Sequence, residues 1–172
     1  MAVQPILDLN SLDRKTVLHD REALYALLPQ RGTFSLVDGV LHMDMENNII
    51  VGYRDVLHDE WWCQDHIPGN PIFPGAMMVE ASAQLGTFHF YHCEPGQIGA
   101  FIGFTGIDKT RFRGTVSPGC RLYFIAKAHR MRKNLFTYIV QGVVERNGVL
   151  EDNIVFQTEV TGMVLVPAKE TA

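Results

Sequence analysis

Four residues in the middle of the chain have types and spacing that suit proton transfer at a polarised carbonyl: His66, Gly75, Glu80 and Gln84. Glu80 interrupts an otherwise apolar run, Met77-Met78-Val79-Glu80-Ala81-Ser82-Ala83. An ionised carboxylate buried without a partner costs several kcal/mol, so such a group tends to stay protonated. A carboxylic acid held neutral near pH 7 is what a general acid requires. The alternative for Glu80 is a side chain facing solvent or pairing with a basic residue across an interface. Gln84, four residues on, shares a helix face with Glu80 and either orients its carboxyl or serves as an interface amide. His66, in Asp65-His66-Ile67-Pro68-Gly69, has an imidazole suited to act as a base near neutrality, or is a hydrogen-bonded structural residue. Gly75 follows Pro74 where a helix opens. Its N–H points out from the positive end of the helix dipole, a place for an oxygen that gains negative charge, or is merely a helix start.

These groups need a scaffold. Pro74 and Gly75 introduce a helix over Ala76 to about His92, apolar on nearly every side and therefore buried. A short N-terminal helix is expected after Asp20, its cap, with Glu22 in the first turn, Leu24, Leu27 and Leu28 on one side, and Pro29 as its stop. Strands are expected over Phe34–Met43 and Ile49–Leu57, parted by a turn at Glu46-Asn47-Asn48. Four more are expected over Ile98–Phe112, Arg121–Met131, Leu135–Arg146 and Val149–Val166, with a hairpin turn at Asn147-Gly148. A single buried helix needs a sheet around it, so the fold class is α+β.

The bulk numbers allow this. The 172 residues are 47% hydrophobic and 20% charged, an ordinary globular balance. They are expected to form one domain, 1–172, with a short N-terminal extension over 1–20. No run of about 18 apolar residues suggests a membrane helix, and Met1–Asn10 does not read as a secretory signal. Cys63, Cys93 and Cys120 form no paired motif and read as free thiols of a cytoplasmic protein. His89 and His92, or His58 with Asp59, do not make a recognised metal motif, so no metal is expected. Net charge is −4, yet Lys109 to Lys133 carries eight basic residues and no acidic one. Such a patch steers a negatively charged partner, unless its members are simply solvated strand faces.

The stretch His66-Ile67-Pro68-Gly69-Asn70-Pro71-Ile72-Phe73-Pro74-Gly75, followed by Val79-Glu80-Ala81 and Gln84, resembles the (3R)-hydroxyacyl-acyl-carrier-protein dehydratase family of the FabZ type. Leu28-Pro29-Gln30-Arg31 with Leu36-Val37-Asp38, Gly106 through Arg113, and Val116-Ser117-Pro118-Gly119 are similar to further blocks of it. The resemblance runs from about residue 22 to 166. It implies the hotdog fold, an antiparallel sheet wrapped around one long central helix. It also implies a homodimer with its active sites at the interface, and commonly a trimer of such dimers. His66 would take a proton from C2 of an acyl thioester, the Gly75 N–H would hold the thioester oxygen, and Glu80 of the other protomer would protonate the leaving C3 hydroxyl. Phe73, Met77, Met78, Phe88, Phe101 and Phe104 would wall the acyl pocket, with Gln84 beside the acid. The partners implied are an acyl thioester and its acidic acyl carrier protein, docked on Lys109, Arg111 and Arg113. No cofactor, nucleic acid or membrane is implied.

The departures concern the surroundings of these groups. Asp65 stands where the family usually has Gly. A left-handed backbone there would suit Asp better than most residues, and its charge would favour the imidazolium of His66. Ile67 replaces a usual Phe, Gln30 a common His, and Gly32-Thr33 a common Tyr-Pro. Trp61-Trp62-Cys63 replaces a Phe-rich approach. Two other readings remain on the same fold: an acyl thioesterase that needs no His66, and a non-catalytic subunit binding an acyl chain or its carrier.

Overall fold

The computed structural model describes residues 4–167; residues 1–3 and 168–172, the ends of the expected domain, lie outside them. Among the described residues three α-helices are present, α1 (Arg21–Leu27), α2 (Trp62–Asp65) and α3 (Gly75–Cys93). Six strands follow the sequence order β1 (Gly39–Asp44), β2 (Ile49–Val56), β3 (Phe101–Phe112), β4 (Cys120–Arg132), β5 (Leu135–Arg146) and β6 (Val149–Val166). The β-branched and aromatic runs become strands because such side chains pack well on a pleated, half-buried surface.

All strands pair antiparallel in one sheet, ordered β1-β2-β4-β5-β6-β3. The connection through α3 thus carries β3 to the far edge, beside β6. Asn147 (φ 51°) and Gly148 (φ 79°) both adopt positive φ between β5 and β6, as a tight two-residue hairpin turn requires. Between β1 and β2, Asp44 Oδ1 accepts from the N–H groups of Glu46 (3.0 Å) and Asn47 (2.9 Å).

The helix expected over 76–92 is α3, and it is the centre of the core. Met77, Met78, Val79, Ala81, Leu85, Phe88 and Phe90 are buried against residues from all the other layers. In α1, Asp20 caps as expected, its carboxylate accepting from Ala23 N at 2.9 Å.

Two strand starts differ from those expected from the sequence, and one helix is added. β1 begins at Gly39, because Phe34 belongs to a 3-10 turn over Gly32–Phe34. The backbone there is engaged elsewhere: Phe34 O and Leu36 N both bond the side chain of Gln84. β3 begins at Phe101, since Pro95–Gln97 forms another 3-10 turn and Gly99 turns the chain at φ 86°. The short helix α2 was not anticipated.

Residues ahead of α1 pack on the outer face of the sheet. Leu9, with Ile6, Leu7 and Leu12, covers a second apolar cluster of Leu41, Ile49, Val51, Tyr53, Tyr123 and Ile125. Gln141 ties this arm down, its Oε1 accepting from Ile6 N (2.8 Å) and its Nε2 donating to Gln4 O (2.9 Å). Arg14 pairs with Glu145.

Candidate functional site

Glu80 lies in the second turn of α3, half-buried rather than enclosed. Its face borders a narrow groove of about 60 Å³, whose lining includes Gln30, Glu80, Gln84, Thr87, Phe104 and Phe136. Of the two readings of Glu80, enclosed or facing outward, the single chain takes the second: the apolar run around Glu80 packs inward on its other sides, and only this side opens.

Gln84 is the member of the pair that is buried, at 2% exposure. Its Oε1 accepts from Leu36 N (2.9 Å), and its Nε2 donates to Phe34 O (2.9 Å) and to Glu80 Oε1 (2.9 Å). The Leu36 N–H fixes which end of the amide is oxygen, so the amide must present a donor to Glu80. Glu80 Oε1 is held as an acceptor, and any proton on this carboxyl belongs on Oε2.

His66 follows α2 as its C-cap and is exposed. The loop ahead of it is anchored by Glu60, which pairs with Arg54 and accepts from Leu57 N (3.1 Å) and Trp62 Nε1 (3.0 Å). Trp62 is fully buried, with its ring edge-on to Phe73 at 5.4 Å. His66 Nδ1 lies 3.0 Å from Ile72 O. A carbonyl can only accept, so Nδ1 carries a proton in this bond, and in the neutral ring the lone pair is then on Nε2. Asp65 sits in an ordinary helical turn, outside the set of positive-φ residues, so the left-handed backbone considered for it is not adopted.

Gly75 is the first residue of α3, where Met77 N and Met78 N return to Pro74 O at 2.9 and 3.2 Å. The ring of Phe112 lies over it: a Cβ at residue 75 would stand 2.7 Å from Phe112 Cζ. A side chain at residue 75 would displace this ring, and Phe112 is a site neighbour that sequence spacing did not single out. A distance of 37 positions leaves no local signal for such a contact.

The remaining expected residues divide by location. Gln84 and Phe104 line the groove beside Glu80, while Phe101 borders a second hollow on the outer side of Gln30. Phe73, Met77, Met78 and Phe88 are core residues, and Phe73 is occupied by Trp62 and by Arg54, whose guanidinium lies 5.5 Å from the ring centre. Lys109, Arg111 and Arg113 are all exposed. Lys109 pairs with Glu159 at 2.7 Å from a positive-φ position in a bulged part of β3. Arg121, in the same basic window, is held by Asp55 through two hydrogen bonds and lies over Tyr53. Lys127, Arg130, Arg132 and Lys133 are exposed.

The three thiols are free. Burial pushes the Cys63 and Cys93 thiols up and that of Cys120 up to about 11, so none is primed as a nucleophile. His89 Nδ1 is 2.5 Å from the Tyr138 hydroxyl, and His92 Nδ1 is 2.9 Å from Phe88 O. Among the described residues no group of three His, Cys, Asp or Glu is placed to hold a metal, and no helix is long and apolar enough to cross a membrane.

A six-stranded antiparallel sheet packed on one central 19-residue helix is the hotdog fold. Glu80 lies on that helix and His66 at the end of α2, in the segment before it. The family model of the FabA-like domain matches residues 28–159, and the chain belongs to that family. A 3-hydroxyacyl-[acyl-carrier-protein] dehydratase FabZ from Desulfotalea psychrophila is 35% identical over 134 residues, 77% of this chain and 85% of that protein. Among solved structures, the dehydratase heterocomplex ApeI:P from Xenorhabdus doucetiae has a TM-score of 0.64 at 14% identity, covering 85% of this chain and 91% of that one. A mutant thioesterase from Pseudomonas aeruginosa has a TM-score of 0.55 at 14% identity, covering 76% and 81%. These two likenesses concern the fold alone.

Proposed function

We propose that the protein is a (3R)-hydroxyacyl-acyl-carrier-protein dehydratase that eliminates water from a 3-hydroxyacyl thioester to give the trans-2-enoyl thioester. The observation that carries this reading is the Glu80–Gln84 pair. The amide is fixed at both ends by the backbone of residues 34 and 36, and it holds Glu80 Oε1 so that Oε2 is the atom turned to chemistry.

His66 Nε2 takes the proton from C2, its tautomer set by Ile72 O. The thioester oxygen gains charge and is met by the Gly75 N–H at the start of α3. Glu80 Oε2 passes its proton to the C3 hydroxyl, which leaves as water. Base and acid are ready for the reverse reaction once water has left.

The groove that Glu80 lines in a single chain does not include His66. The site is completed in a homodimer through the β3 edge, with the base supplied by the partner. Among the described residues β3 has sheet pairing on one side only, and Phe101 (58% exposed), Phe104, Ile107 and Phe112 are exposed along it. An apolar unpaired edge of this length favours pairing with another chain. The exposed Lys109, Arg111 and Arg113, on and just after the same strand, are the dock for an acidic acyl carrier protein.

The test is hydration of a trans-2-enoyl carrier-protein thioester, followed by loss of the enoyl absorbance. Wild type is expected to hydrate it, and His66→Ala and Glu80→Gln each to fall by roughly 100-fold or more. Mixing the two inactive variants should restore activity, since a mixed dimer contains one intact site. Thioester hydrolysis by wild type, unaffected by His66→Ala, would replace this reading with a thioesterase.

A further inference from the structure

Two hollows meet at Gln30. One is the groove of about 60 Å³ beside Glu80. The other, of about 370 Å³, lies between α1 with the loop after it and the start of β3, bordered by Tyr25, Arg31, Tyr91 and Phe101. Gln30, Thr87 and Ile102 line both, so they form the wall between them. Thr87 stands seven residues beyond Glu80 on α3, roughly 10 Å along the helix axis. The wall therefore closes the end of the groove away from the acid.

The three wall residues are not equally fixed. Thr87 belongs to α3, and Ile102 is paired with Val164 in the sheet. Gln30 lies in the loop between α1 and the 3-10 turn at Gly32–Phe34. Its Oε1 is shut off from solvent and has no hydrogen-bond partner among the described residues. An unpaired buried amide oxygen is unfavourable for stability, which marks the side chain as a plug rather than a structural tie. An apolar chain end driven against it would desolvate it further and offer no donor.

We propose that Gln30 is the end stop of the acyl groove and that the bulk of its side chain sets the longest acyl chain accepted. This rests on the reading of the Glu80 groove as an acyl-thioester site. Opening the wall at residue 30 would join the groove to the larger hollow, which has room for a longer tail.

Binding separates this idea from catalysis. Saturated acyl-pantetheine thioesters of four, eight and twelve carbons would be titrated calorimetrically into wild type, Gln30→Ala and Gln30→Leu, each first checked for folding by its thermal transition. For wild type, affinity is expected to level off by eight carbons and to gain nothing at twelve. Gln30→Ala should bind the twelve-carbon thioester at least about tenfold more tightly than wild type, through the extra methylenes buried, with little change at four. Gln30→Leu keeps the bulk and should keep the limit. Wild-type affinity that still climbs at twelve carbons, an unchanged profile in Gln30→Ala, or a twelve-carbon gain in Gln30→Leu would each overturn the stop. Enoyl hydration measured alongside distinguishes the two claims. Binding that follows the expected pattern without hydration would sink the dehydratase reading alone, and a protein that binds none of the three thioesters would sink both.

Discussion

Gln84 Nε2 donates to Glu80 Oε1 at 2.9 Å while the rest of the same amide is spent on Phe34 O and Leu36 N. One buried side chain thus holds the Glu80 carboxylate and pins the segment before β1. Gln84→Leu is expected to do two things at once. It leaves buried backbone groups unpaired, costing about 1–3 kcal/mol in urea unfolding. It also frees Glu80 to rotate, so kcat for enoyl hydration should fall further than KM changes. A variant with lowered stability and unchanged kcat would show that Gln84 only supports the fold.

Gly75 and Phe112 form a second such relationship, since any Cβ at residue 75 meets the Phe112 ring at 2.7 Å. Gly75→Ala is expected to cost about 1–3 kcal/mol through overpacking and to reduce activity by displacing the start of α3. Adding Phe112→Leu to Gly75→Ala should recover part of the stability in a double-mutant cycle. Strictly additive losses would mean that the ring does not limit residue 75.

His89 makes stability depend on pH. Burial, with a smaller contribution from the charge of His92, lowers its pKa from 6.5 to about 4. A histidine with a native pKa below its unfolded value contributes stability that is fully present above about pH 6.5. That contribution is lost as pH falls towards 4, because the unfolded chain binds the proton first. Urea unfolding at pH 7 and at pH 5 should differ by roughly 2 kcal/mol on this account. His89→Gln should remove most of that difference, and a slope left intact in the variant would assign it to other groups.

The N-terminal arm can be tested apart from the site. Leu9 is 4% exposed in the outer-face cluster, so Leu9→Ala should destabilise by about 2 kcal/mol, the lower end for a leucine truncation at a partly adjustable surface. Hydration of an enoyl-pantetheine thioester, which needs no carrier dock, should not change per folded molecule, because the arm packs on the outer face of the sheet, opposite α3. A selective loss of activity would show that the arm reaches the groove.

Much of this was legible along the chain. The apolar run from Ala76 to His92 determined α3, Asp20 and Pro29 bounded α1, and Asn147-Gly148 set the β5–β6 turn, because each depends on residues within a few positions of one another. The motif from His66 to Gly75 with Glu80 and Gln84 named the candidate groups by type and order. Where backbone groups answer to distant partners, the sequence reading was displaced: β1 starts at Gly39 because Gln84 draws off the backbone at 34 and 36. Tertiary structure alone decided that Glu80 is half-open rather than sealed, and that Phe112 caps Gly75. It also decided that Phe73 packs against Trp62 and Arg54, and that Gln30 borders two hollows at once. These are contacts between elements brought together by sheet order, and sheet order is set by how the whole apolar surface is buried, which no local stretch of sequence contains.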